Sequence, residues 1–127
     1  NPRFPIRRAA IDKWQAEWLR KKISDTYIEI YEFNQSWAMY DYPTKQFKGK
    51  LAAGELRVGK NPVAAWQASN LTVKIGMREE VMPVKRYKKQ VFKIDLMTAA
   101  IMATDAYLRV EDDRSRYEDD DVLPVFL

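Results

Sequence analysis

The stretch Ile6-Arg7-Arg8-Ala9-Ala10-Ile11-Asp12 decides the fold class once it is set beside Tyr27-Ile28-Glu29-Ile30-Tyr31-Glu32-Phe33. The first reads as a short buried strand from Ile6 to Ile11 that ends at Asp12. Behind it, Trp14, Trp18 and Leu19 fall on one face of a helix and are expected to pack into the core. The second stretch has the β-branched and aromatic content of a strand, and Asn34-Gln35-Ser36 breaks it. Strand, helix, strand predicts an α/β fold. A parallel pair joined in this way is normally right-handed and presents functional residues at the carboxyl ends of its strands, which is where Asp12 stands.

Working outward, Pro43-Thr44 can open a helix that runs to Ala53, with Gly54 as its stop and Lys45, Lys48 and Lys50 exposed. Asn61-Pro62 supplies an N-cap followed by Pro at the first helical position, with Val63, Ala64 and Trp66 expected inward and Asn70 at the end. Leu71-Thr72-Val73-Lys74-Ile75 alternates apolar and polar residues, and Gly76 to Glu80 turns into Val81-Met82-Pro83-Val84, which together predict a β-hairpin. Pro83 cannot donate to a ladder, so its arm is expected to be an exposed edge. From Ile94 to Val110, Ile94, Met97, Ile101 and Leu108 lie near one helical stripe. Ala99, Ala100, Ala103 and Ala106 keep that helix slim enough to lie close on a sheet, with Asp95 in its first turn reaching the sheet's edge. Residues 1–110 are thus expected to form the folded body. Residues 111–127 are expected to fray into an acidic tail whose Val122-Leu123-Pro124-Val125-Phe126-Leu127 docks on a partner or on the remainder of a longer protein.

Composition narrows the chemistry. The chain has 127 residues, one domain's worth, with 46% hydrophobic and 31% charged residues, as in ordinary globular proteins. It contains neither Cys nor His, which removes Cys/His zinc sites, Cys nucleophiles, Ser-His-Asp triads and histidine bases. Its four Gly include no Walker or dinucleotide arrangement, so it is no ATPase by itself. Carboxylates, lysines and hydroxyls must carry any reaction. The net charge of +4 understates a basic body, because Glu111-Asp112-Asp113 and Glu118-Asp119-Asp120-Asp121 gather acidity at the end. Arg7-Arg8, Arg20-Lys21-Lys22 and Lys85-Arg86-Tyr87-Lys88-Lys89, with Lys93 close behind, suit a phosphate backbone or, equally, a solvated face. No apolar run approaches a membrane span and no secretory signal opens the chain, so a soluble cytoplasmic protein is expected. The chain opens on Asn1 instead of Met, which suggests a piece of a longer protein.

Three stretches in order carry a resemblance: Ala10-Ile11-Asp12-Lys13-Trp14, then Asn61-Pro62-Val63-Ala64-Ala65-Trp66-Gln67-Ala68-Ser69-Asn70, then Lys93-Ile94-Asp95 with Ala99-Ala100-Ile101-Met102-Ala103. The middle one is similar to an Asn-Pro-Val plus Trp-x-x-Ser-Asn signature, and Glu32-Phe33-Asn34-Gln35-Ser36-Trp37-Ala38-Met39 resembles the strand and loop before it. Over roughly residues 9 to 104 the chain resembles the nuclease domain of tailed-phage large terminases. The resemblance implies a truncated RNase H-like nuclease fold, a mixed sheet with flanking helices and a hairpin. It further implies cutting of concatemeric double-stranded DNA by acidic residues that hold two Mg²⁺ or Mn²⁺ ions, and a small terminase subunit and a portal as partners in the host cytoplasm. Asp12 and Asp95 fall on matching positions, and carboxylates are the preferred ligands of such hard ions. On their clustered charge, Lys85, Arg86, Lys88, Lys89 and Lys93 are the candidates for DNA contact on a hairpin arm beside the metal site, with a solvated edge as the other reading.

The match has departures. The family's first acidic ligand lies on an opening strand for which this chain has no counterpart, so a fragment carrying only Asp12 and Asp95 is expected to be nearly inert alone. Val58-Gly59-Lys60-Asn61-Pro62 stands where His-Gly-Gly-Asn-Pro is common, and Leu96 stands where Gly often follows the last Asp. Two roles remain open to each carboxylate. Asp95 could simply favour a helix dipole, and Asp12 could simply cap a helix. The competing function is a non-catalytic nucleic-acid-binding or protein-interaction module.

Overall fold

The computed structural model describes residues 6–14, 16–23, 26–57 and 59–120, the last ten as backbone only. Strand β1 (Arg8–Asp12) pairs in parallel with β2 (Glu29–Phe33), and helix α1 (Ala16–Ile23) joins them. The β-α-β unit expected from the sequence is therefore present. The register sets Asp12 beside Phe33 and Ala10 beside Tyr31, so these four side chains share one face of the sheet, and Ile11 and Glu32 share the other. On that second face Ala16 of α1 is buried and Arg20 reaches Glu32 at 3.5 Å.

Helix α2 (Trp37–Ala52) starts six residues before Pro43, the position expected to open it. Ser36 caps it, its Oγ accepting from the Met39 N–H at 3.3 Å. Pro43 sits inside the helix, where it forfeits one bond to Met39, and its ring is buried. The spacing Tyr40, Thr44, Phe47 makes a continuous inward stripe that a helix starting at Pro43 would have cut short. Gly54, at φ +72, follows the C-terminus and stops the helix as expected. Lys45 and Lys48 are exposed, but Lys50 is half-buried, paired with Glu55 at 3.1 Å and lying over the Tyr107 ring.

Helix α3 (Pro62–Asn70) leads into a hairpin of β3 (Leu71–Ile75) and β4 (Val81–Lys85). Pro83 is buried, not exposed as expected, because β4 packs against α2 and the Val81 N–H donates to Asp41 of that helix at 2.8 Å. Among the described residues the parallel and antiparallel pairs form two separate two-stranded sheets. Helix α4 (Asp95–Asp120) packs on α2, α3 and β1. Its helical backbone continues through Asp120, where fraying was expected after Glu111, and residues 121–127, with the expected docking segment, lie outside the described residues. Phe33, Tyr40, Phe47, Met97 and Ile101 form the core.

The three tryptophans expected inside are not buried. Trp14 is 94% exposed in the turn after β1, Trp18 is 62% exposed with Lys22 over its ring, and Trp66 is 42% exposed. Ala16 is the buried residue of α1, and α3 buries Ala64, Gln67 and Asn70, so the inward faces of these helices are not the ones that carry the indoles.

Candidate functional site

Asp12 closes β1, half-buried, on the face that carries Phe33 and Tyr31. Its Oδ1 accepts from the Trp14 N–H at 3.1 Å, an Asx turn that carries the chain off the strand, and its Oδ2 accepts from Gln35 Nε2. The buried Tyr40 hydroxyl has its pKa raised, first by burial and then by the Asp12 charge.

Asp95 is the first residue of α4, exposed, and among the described residues its carboxylate has no hydrogen-bond or ion-pair partner. The order of contacts along α4 relates it to Asp12. Asp105 and Arg109 meet Tyr31, whereas Met97 and Ile101 share the core cluster with Phe33, two residues further along β2. The helix therefore runs antiparallel to the strands, and its first residue points to the strands' carboxyl end. Asp12 and Asp95 lie at the same end of one strand–helix layer.

What holds Asp95 there is the inward face of α3. That face is Ala64, Gln67 and Asn70, not the expected Val63 and Trp66, which are 53% and 42% exposed. Asn61 caps the helix as expected, its Oδ1 accepting from Val63 and Ala64. The Leu96 N–H donates to Gln67 Oε1 at 2.7 Å, and Asn70 Nδ2 donates to the Lys93 carbonyl at 3.1 Å. Sequence reasoning missed both amides as site residues, and Gln35 likewise. For Gln67 and Asn70 the signal was two amides at three-residue spacing on one helix, Asn70 closing the Trp-x-x-Ser-Asn stretch, whereas Gln35 gave none.

The basic candidates precede Asp95 in the chain. Lys85 ends β4, half-buried, while Arg86, Lys88, Lys89 and Lys93 are exposed in the loop between β4 and α4, so only the first lies on a hairpin arm. Tyr87 and Phe92 pack their rings 4.9 Å apart and close that loop. None of the five cations has a carboxylate partner among the described residues. A groove of about 560 Å³ lies elsewhere, between Arg7–Ala10 and the alanine face of α4, and carries no carboxylate.

Hard oxygen donors fit a divalent metal in kind, and Asp95 is free to take one. They fall short in number, since no group of three acidic, Cys or His side chains gathers among the described residues. A complete site would need ligands beyond these.

A parallel β-α-β unit, a hairpin and a long packed helix define the class to which the comparisons point. The structure is similar to the crystal structure of the HK97 bacteriophage large terminase, with a TM-score of 0.67 and 22% identity, over 80% of this chain and 21% of that one. The model of the terminase large subunit endonuclease domain matches residues 2–123, and the chain belongs to that family. It spans about a fifth of the HK97 chain. No curated protein matches it. No helix among the described residues is long and apolar enough to cross a membrane.

Proposed function

We propose that this chain supplies the catalytic end of a metal-dependent endonuclease that cuts concatemeric double-stranded DNA during phage genome packaging. The observation that carries the reading is the placement of Asp12 and Asp95 at one end of the β1–α4 layer, with the cations of the β4–α4 loop, unpaired among the described residues, preceding Asp95 in the chain. Asp12 and Asp95 would hold the metal, Mg²⁺ or Mn²⁺, together with ligands from outside the described residues. Two such ions held there would supply an activated water and stabilisation of the leaving oxygen for an in-line displacement.

The chain's own side chains do the rest. The Trp14 N–H and Gln35 Nε2 orient the Asp12 carboxylate, each leaving it lone pairs for a cation. The α3 amides hold the backbone of Asp95. Lys85, Arg86, Lys88, Lys89 and Lys93 would position phosphates without reading sequence. In the full-length large subunit the partners would be a small terminase and a portal, in the cytoplasm of a bacterial host. With two carboxylates, this chain alone should cut very slowly or not at all.

The test is Asp95→Asn in the full-length large terminase. Cleavage should fall by about a hundredfold or more while DNA binding persists. Undiminished cleavage overturns the assignment. The absence of a three-ligand group among the described residues favours a second reading, a non-catalytic nucleic-acid-binding or protein-interaction module. Steeply salt-dependent DNA binding without Mn²⁺-dependent nicking, even in the full-length protein, would select it.

A further inference from the structure

We infer that the buried polar edge of α3, Gln67 and Asn70, is the positioning element that sets Asp95 against the basic loop. The inference rests on the proposed endonuclease reading.

Gln67 is 8% exposed and Asn70 3%, while Val63 and Trp66 of the same nine-residue helix stay in solvent. A helix selected for packing alone would bury its apolar residues and expose its amides, because a buried amide costs free energy unless it is hydrogen-bonded. Here both amides are buried and both are spent on one segment. Gln67 Oε1 accepts from Leu96, one of the N–H groups at the start of α4 that no residue of its own helix can satisfy. Asn70 acts at both ends of the loop. Its carbonyl accepts from the Arg86 N–H at 2.7 Å and its side chain donates to the Lys93 carbonyl.

Residues 86 to 96 are therefore clamped at the exit of β4, just before Asp95 and just after it. Lys88 and Lys89 lie between the first two clamps. The Asp95 carboxylate has no side-chain partner of its own among the described residues, so its position follows from its backbone, and these clamps fix that backbone. A misplacement of about 1 Å at a reacting centre can cost on the order of a hundredfold in rate. Gln67 and Asn70 are positioning residues, acting on the metal site and the DNA approach through main-chain groups.

The experiment uses the full-length large terminase, with Mn²⁺ binding in the absence of DNA followed by electron paramagnetic resonance, and cleavage measured separately. Gln67→Met keeps the length and removes the acceptor, and it should weaken Mn²⁺ binding about tenfold or more and lower kcat. Gln67→Glu, which keeps the acceptor oxygen, should recover most of that affinity. Asn61→Ala destabilises the same helix without touching Leu96 or Lys93, and should lower the Tm while leaving Mn²⁺ affinity as in the parent. Equal loss of Mn²⁺ affinity in Asn61→Ala and Gln67→Met would overturn the inference in favour of a purely structural role. If Asp95→Asn abolishes Mn²⁺ binding and cleavage while Gln67→Met changes neither, the positioning role fails and the endonuclease reading stands. If Asp95→Asn changes neither, the endonuclease reading itself fails.

Discussion

Asp105 shows how a single carboxylate is accommodated inside α4. It is 7% exposed, accepts from the Tyr31 hydroxyl at 2.6 Å and from Arg109 Nε at 2.8 Å, and the Arg109 guanidinium lies 4.5 Å above the Tyr31 ring. Burial, and then the hydrogen bond to Asp105, push the Tyr31 hydroxyl well above the ordinary tyrosine range. A raised native pKa means that Tyr31 stabilises the fold fully below its ordinary value of about 10, and that this contribution is lost as pH rises beyond it. The Tm should therefore fall with pH above that value in the parent, and the Tyr31-dependent part of the fall should be missing in Tyr31→Phe. Asp41 has the opposite sign. The Lys45 hydrogen bond, and then the Val81 N–H, hold its pKa below the usual carboxylate range. Its contribution is present at neutral pH and disappears as pH falls through the lowered value. The stability gap between the parent and Asp41→Asn, followed by denaturant titration, should close in acid. Neither Asp41 nor Asp105 stood out in the sequence, since a carboxylate's partners across elements have no fixed spacing along the chain.

Among the elements, α3 was the most legible at its start and the least legible on its faces. Asn61-Pro62 announces a cap and a first turn from local chemistry alone, and Asn61 Oδ1 does accept from Val63 and Ala64. Asn61→Ala should cost about 1 kcal/mol in equilibrium unfolding, the ordinary value of a lost cap. The burial pattern could not be read in the same way. Val63 and Trp66 look like the inward residues on hydrophobicity, yet the segment beside α3 presents the Lys93 carbonyl and the Leu96 N–H, which apolar side chains cannot satisfy and the Asn70 and Gln67 amides do. The start of α2 was misplaced for a related reason. Pro43 is a good first residue of a helix, and only the buried stripe of Tyr40, Thr44 and Phe47 shows that the helix was already under way.

At the scale of the whole molecule, α2 and α4 close one core over the β1–β2 layer, with Ile101 and Phe33 fully enclosed. Ile101→Ala should destabilise by about 2–5 kcal/mol, because these neighbours can relax only partly into the cavity. The cations between β4 and α4, which have no carboxylate partner among the described residues, belong to this scale as well, since their use depends on a partner's field. Replacing Lys88 and Lys89 together by Ala should weaken duplex binding for any sequence and reduce the log–log salt slope by roughly 2. An unchanged slope would remove this loop from the DNA interface.

By itself the sequence determined the succession of strands and helices, the parallel β-α-β start, the hairpin, the Asn61 cap and the family to which the chain belongs. These follow from periodicity, capping chemistry and ordered motifs, all of which act over a few residues. Tertiary structure alone decided that the tryptophans at 14, 18 and 66 stay in solvent, that Pro83 is covered, and that α4 runs antiparallel to β1 so that Asp95 and Asp12 lie at one end. It also decided that Gln67 and Asn70 turn inward to hold the backbone around Asp95. Burial and long-range hydrogen bonds depend on which surfaces meet, and residues far apart in the chain settle that together.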